Sequence, residues 1–146
     1  MPRSGTIVGV PVLPQPQDRS SLILRTDFTN DAAWAELQAA IGTEGATYIS
    51  DVSHTDVTIQ SLIDADTAAA DEHKLTYLFL ADATTMTDAE HTLLAVDLYQ
   101  EPGRTFRLPP RRYADVSANL SISNMDFHEF ADAVDESGTY RGFDDE

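Results

Sequence analysis

The sequence contains no cysteine and only one lysine, Lys74, among 146 residues. The first absence excludes disulfides, thiolate metal sites and a cysteine nucleophile, and with them a disulfide-stapled secreted scaffold. Long apolar runs are also missing. None approaches the roughly 20 residues that span a bilayer. The short apolar run near the N-terminus is broken by Pro11, Pro14 and Pro16, whereas a signal peptide needs about 7–15 uninterrupted apolar residues. The chain therefore reads as unprocessed, soluble and cytoplasmic, without a membrane partner. There is no HExxH, GxSxG or Walker loop, and no histidine pair at metal-ligand spacing. No motif fixes a reaction.

Positive charge is scarce: 25 acids stand against 9 bases, a net charge of −16 at pH 7. Such a surface repels nucleic acid and anionic membranes and steers basic partners inward at low salt. Nucleic acid is excluded as a partner on this ground. A solvated acidic surface is the plainer reading of the excess, and an acidic recognition face is the functional one.

What is present suits one domain of ordinary size. Residues 1–19 hold four of the seven prolines and read as an extended N-terminal arm whose IVGVPVL segment is placed to cover a sheet edge; residues 20–146 form the domain. LILR (22–25) is a buried-strand run. After it, Thr29 or Asn30 caps a helix that carries Trp34, Leu37 and Ile41 on one face and stops at Gly42. ATYISDV (46–52) predicts a second strand, TIQSLIDA (58–65) a short helix, and residues 64–74 a helix end and exposed linker. LTYLFLA (75–81) and LLAVDLY (93–99) are near-continuous apolar runs, as expected of strands covered on both faces.

Between those two runs, Thr87 and Glu90 have capping-box spacing. EPGR (101–104) marks a turn, and TFRL pairs back as a hairpin strand. VSANLSI (116–122) alternates strictly, which predicts a strand with one solvated face. From Ile122 the period lengthens: Phe127, Phe130, Ala131 and Val134 form a helical stripe, predicting a helix from Ser123 or Asn124. Tyr140 and Phe143 are placed to fold back over the sheet. The expected fold is an α/β single-domain sandwich. Its sheet is mixed and five- to six-stranded, mostly parallel at first and antiparallel after residue 92, with about three helices.

Four sets of residues are candidates for chemistry. Asp126, His128 and Glu129 crowd one helix start, where Asp126 and Glu129 also suit the positive helix end and Asp132 lies one turn beyond His128. Asp27 and Asp82 each follow a core strand, at the edge where open α/β sheets bind ligands. On adjacent parallel strands they would converge with Thr29, Asn30, Thr84 and Thr85 into an oxygen-rich site for a divalent cation, Mg²⁺ or Ca²⁺. Capping of the following turns is the structural alternative. His91, like His54 and His73, has an acid nearby, which in so acidic a chain is close to chance. Arg104, Arg107, Arg111 and Arg112 concentrate four of the nine bases in nine residues, a candidate anion site if they are not paired internally.

Together RTDFTNDAAWAEL (25–37), LADATTMTDAEHTLLAVDL (80–98), GRTFRLPP, NLSISNMDFHEFADAV and GTYRGF resemble a family of small uncharacterised bacterial proteins, frequent in high-GC Gram-positive organisms, a domain of unknown function. The resemblance spans about residues 22–143 and implies one intact domain of cytoplasmic type. It carries over no activity and no catalytic residue. From the residues themselves, the leading expectation is a non-enzymatic binding or regulatory module whose acidic surface engages a protein partner or a small molecule. One alternative is a divalent-metal-dependent enzyme or metal-binding protein using Asp27 and Asp82, with His91 or His128 moving a proton. Another is an acidic inhibitor or immunity-type protein acting by charge mimicry.

Overall fold

The chain enters the sheet at β1 (Ser21–Arg25), crosses one face as α1 (Asp31–Ile41) and returns as β2 (Ala46–Ile49). It then crosses the opposite face as α2 (Ile59–Ala68) and returns as β3 (Tyr77–Ala81). A short turn of helix, α3 (Ala83–Thr87), leads into β4 (Leu93–Asp97) and β5 (Thr105–Leu108), followed by α4 (Tyr113–Ser121) and α5 (Phe127–Ala131). This computed structural model describes residues 13–17 and 20–142. The strand order is β2-β1-β3-β4-β5. β1 runs parallel to both of its neighbours, and β3, β4 and β5 are antiparallel in turn. The expected change from parallel to antiparallel pairing after residue 92 is what the sheet displays.

The apolar runs of the central strands follow from a sheet covered on both sides. Leu22 and Leu24 of β1, Leu78 and Leu80 of β3, and Val96 of β4 pack with Leu62 and Ala65 of α2. The alternate residues Ile23, Phe79, Ala81, Leu93 and Ala95 face the other way, onto Trp34 and Leu37 of α1 and Val116 and Leu120 of α4. Fully burying each Leu or Phe contributes about 1.5–3 kcal/mol, so the two clusters fix the sheet between its helices. From the arm, Leu13 is buried in the α2-side cluster. Phe106 of β5 sits among Phe127, Phe130 and Tyr140, at ring-centroid distances of 4.9, 6.1 and 6.3 Å. Tyr140 thus folds back as expected, while Phe143 lies outside the described residues.

Local signals explain the element ends. Asn30 Oδ1 accepts from Ala33 N and caps α1, and Gly42 (φ +88°) ends it in a conformation that side-chain-bearing residues rarely adopt. Thr58 caps α2. The capping box between the two apolar strands lies at Asp82 and Thr85, not at Thr87 and Glu90. α5 begins at Phe127 behind Asp126, whose backbone N–H donates to the Glu129 carboxylate; Ser123 and Asn124 stand before the helix.

The alternating stretch 116–122 is helix, not strand. Its buried positions are Tyr113, Val116, Ser117 and Leu120, the i, i+3, i+4, i+7 pattern of a helix face. Ser117 hides that pattern because a serine reads as solvated. Here its hydroxyl is buried against Ser21 Oγ at 2.6 Å, while Ile122, expected in the core, is 68% exposed.

Candidate functional site

β1 and β3 are adjacent and parallel, so Arg25, Thr26 and Asp27 at the end of one strand stand beside Ala81 and Asp82 at the end of the other. This carboxyl edge is where the fold concentrates charged side chains. Arg25 ends an otherwise apolar strand and is only 4% exposed. Its guanidinium lies 4.5 Å from the Phe28 ring centre and 5.3 Å from that of Trp34. It donates to Asp31 Oδ1 at 2.8 Å and to the Asp27 carbonyl at 2.9 Å. A charge buried this deeply is tolerated because aromatic faces and acceptors replace its water.

Asp82 holds the second node. Both its oxygens accept from Arg107, at 2.9 and 2.7 Å, and Oδ1 also accepts from Thr85 N. Burial alone would raise the Asp82 pKa, but the Arg107 hydrogen bonds and charge, with Thr85, hold it below the usual carboxylate range. The candidate metal ligand and the candidate anion anchor are therefore partners of each other. Asp27 turns to its own loop, where Oδ1 accepts from the amide and hydroxyl of Thr29. Asn30 is spent on capping α1.

His91 lies between Thr85 O, 3.0 Å from Nδ1, and Glu36 Oε1, 2.9 Å from Nε2. Two acceptors suit an imidazole protonated at both nitrogens, so the Thr85 carbonyl first, and Glu36 second, raise its pKa. The remaining candidates sit elsewhere. Arg104 pairs with Glu101 and Asp132 on the β5 side, and His128 lies 3.7 Å from both Asp126 and Asp132, outside the sheet edge. Arg111 reaches Glu90 at 3.7 Å, and Arg141 clamps Glu90 and Asp135. Arg112 closes the helical turn Pro110–Arg112 ahead of α4. The structure joins Asp82 with Arg107, gathers Arg104, Asp126 and His128 around Asp132 away from that pair, and places Arg111 with Glu90. Among the described residues, no three His, Asp or Glu side chains gather in a metal-holding group.

Two features escape the sequence reading. One is Arg25, whose only signal is a lone charge terminating an apolar strand. The other is charge segregation: residues 26–73 contain ten acids and no lysine or arginine. That stretch builds α1, the edge strand β2 and α2. Glu44, Asp51, Asp56, Asp64, Asp71 and Glu72 are all exposed on it.

A family model described as a domain of unknown function (DUF6924) matches residues 20–143. The chain belongs to this family. The match begins at the residue before β1 and takes in both charged nodes of the sheet edge, so the strand-end arginine, the Asp82–Arg107 pair and the acid-only stretch all lie inside the family domain. No curated protein matches the chain. No helix among the described residues is long and apolar enough to cross a membrane.

Proposed function

We propose that this chain is a non-enzymatic binding module whose β2 side engages a basic protein. The observation that supports it is the sorting of charge. Arg25, Arg104, Arg107, Arg111 and Arg141 are each paired with the chain's own carboxylates, while Glu44, Asp51, Asp56, Asp64, Asp71 and Glu72 are exposed in a stretch that contains no lysine or arginine. Unbalanced charge of one sign speeds encounter with an oppositely charged partner and sets orientation more than it adds affinity. The pairing of a candidate metal ligand and of a candidate proton-transfer group also favours binding over catalysis. Asp82 is neutralised by Arg107, and His91 is held between two acceptors. An inhibitor that occupies the basic site of a toxin or nuclease is one form of this reading.

The test is capture from a lysate of the native host, using the wild type and a variant with Glu44→Gln, Asp56→Asn, Asp64→Asn and Glu72→Gln. The expected result is a stoichiometric basic partner held by the wild type. It is lost in the variant, and lost to the wild type in about 0.5 M NaCl, where the screening length falls to roughly 4 Å. A partner retained equally by both proteins, or no stoichiometric partner, overturns the proposal.

A further inference from the structure

We propose that the amino-terminal edge of the sheet, opposite the Asp82–Arg107 node, carries a binding site for a neutral polyhydroxylated ligand, a sugar or a polyol. Two clefts of about 230 and 150 Å³ adjoin there and share Thr76, Tyr77, Leu120 and Ser123. They lie between the starts of β1 and β3, the end of α4 and the β4–β5 turn.

The lining selects the chemistry. Ser20, Ser21, Thr76, Tyr77, Ser121 and Ser123 line the clefts with hydroxyls; those of Ser20, Ser21 and Ser121 already bond within the chain, and those of Thr76, Tyr77 and Ser123 are left to donate or accept. Tyr77 OH and Ser21 Oγ are 2.6 Å apart, and Ser21 Oγ is 2.6 Å from Ser117 Oγ, so the floor is a connected hydroxyl chain. Burial raises the Tyr77 pKa and keeps the phenol protonated. An anion meets Asp97 and Asp126 in the wall and a net charge of −16, and the one lysine of the lining, Lys74, already donates to the Asp66 and Thr67 carbonyls. A cation finds the buried Asp97 carboxylate already taken by the backbone N–H groups of Tyr99, Gln100 and Glu101, at 2.9, 3.3 and 2.9 Å. An apolar ligand would cover the Thr76 and Ser123 hydroxyls without pairing them. Hydroxyl-bearing ligands match what remains, with the Gln100 amide and the Tyr99 ring, 70% exposed at the rim, supplying an amide pair and an apolar plate.

The backbone carries an independent sign. Of the four non-glycine residues with positive φ among the described residues, Asp56 and His91 are of types that tolerate it. Ser123 (φ +57°) follows the end of α4, where its N–H donates to Leu120 O and that of Asn124 to Asn119 O, the common left-handed stop of a helix; the β-branched Thr76 (φ +65°) is the outlier, and it lines both clefts. Strain of this kind gathers at ligand sites, where the surrounding structure holds it.

The experiment is a titration of the ¹⁵N-labelled full chain with D-glucose, trehalose and myo-inositol, followed by amide shifts, in wild type, Tyr99→Ala and Gln100→Ala. Both substitutions are at exposed positions, and the spectra themselves report retention of the fold. Saturable shifts at Thr76, Tyr77, Tyr99, Gln100 and Ser123 are expected for at least one probe, with a Kd in the range of about 1–10 mM. Tyr99→Ala and Gln100→Ala should each weaken binding about tenfold. No saturable shift with any probe overturns the proposal. So do shifts lying outside the cleft, affinity unchanged in both variants, or cleft shifts seen only with arginine methyl ester.

Discussion

Replacing Arg107 by Met leaves the Asp82 carboxylate without its cation, and the cost can be worked from the geometry. The pair is bidentate, with side chains 20% and 24% exposed for Arg107 and Asp82. Breaking a fully buried pair costs about 3–5 kcal/mol, whereas an exposed one contributes about 0–1 kcal/mol. For a pair this far from solvent, with the Thr85 amide still on the carboxylate, the loss should be about 2 kcal/mol, or roughly 5–8 °C in Tm. Adding Asp82→Asn removes the stranded charge and keeps an acceptor for the α3 cap, so the double variant should recover about 1 kcal/mol. Urea melts at constant m value read both numbers. The pH dependence adds a check on sign. Because the folded Asp82 pKa is depressed, its contribution is present above the unfolded value of about 3.9 and is lost as pH falls through the lower folded value. The gap between wild type and Arg107→Met should therefore be widest at neutral pH and close below about pH 4. A single-variant cost under about 0.5 kcal/mol, or additive effects in the double variant, would refute the pairing as a source of stability.

Truncation after Gly138 removes the buried Tyr140 ring, the Arg141–Glu90 pair and the Thr139 bridge to Arg107. It should lower Tm by about 10 °C or more, and an unchanged melt contradicts the packing role. His91 has a raised pKa in the folded state, so its contribution is full below about pH 6.5 and fades as pH rises through the folded value. Wild type should accordingly exceed His91→Asn in stability by more at acid than at alkaline pH, and a gap independent of pH would rule this out. Mg²⁺ or Ca²⁺ should raise Tm no more than Na⁺ at matched ionic strength, since Asp82 is held by Arg107 and Asp27 by Thr29. A divalent-specific rise that vanishes in Asp27→Asn with Asp82→Asn would restore the strand-end carboxylates as metal ligands.

The strands β1, β3 and β4 were legible because burial on both faces leaves an apolar run in the sequence itself, and α1 because its cap, stripe and stop are local. α4 was not, because Ser117 is buried at the expense of a hydroxyl 96 positions away. No window of neighbouring residues contains that information. The site failed for the same reason. Asp82 was legible as a strand-end acid and Arg107 as part of a basic cluster, but their pairing spans 25 positions and depends on β5 lying two strands from β3. His91 with Glu36 and Arg141 with Glu90 span 55 and 51 positions. Local pairs such as Arg104–Glu101 follow spacing, but these partners are chosen by topology.

The two ends of the sheet have different fates in a crowded solution. On the β5 side, Arg107 N donates to Gly138 O and Tyr140 N to Arg107 O, so the C-terminal segment occupies that edge. On the other side, no strand among the described residues pairs with the outer edge of β2. Where such an edge is left uncovered, a second copy can add its own strand, the first step of aggregation. Here the approaching copy would bring the exposed acids that flank β2, Glu44 and Asp51, against the same two, and their mutual repulsion disfavours the pairing without a proline or a bulge. Ionic strength then acts in two opposed ways: salt that releases a basic partner also lowers the barrier between copies, making the protein least protected from itself where it is least able to bind.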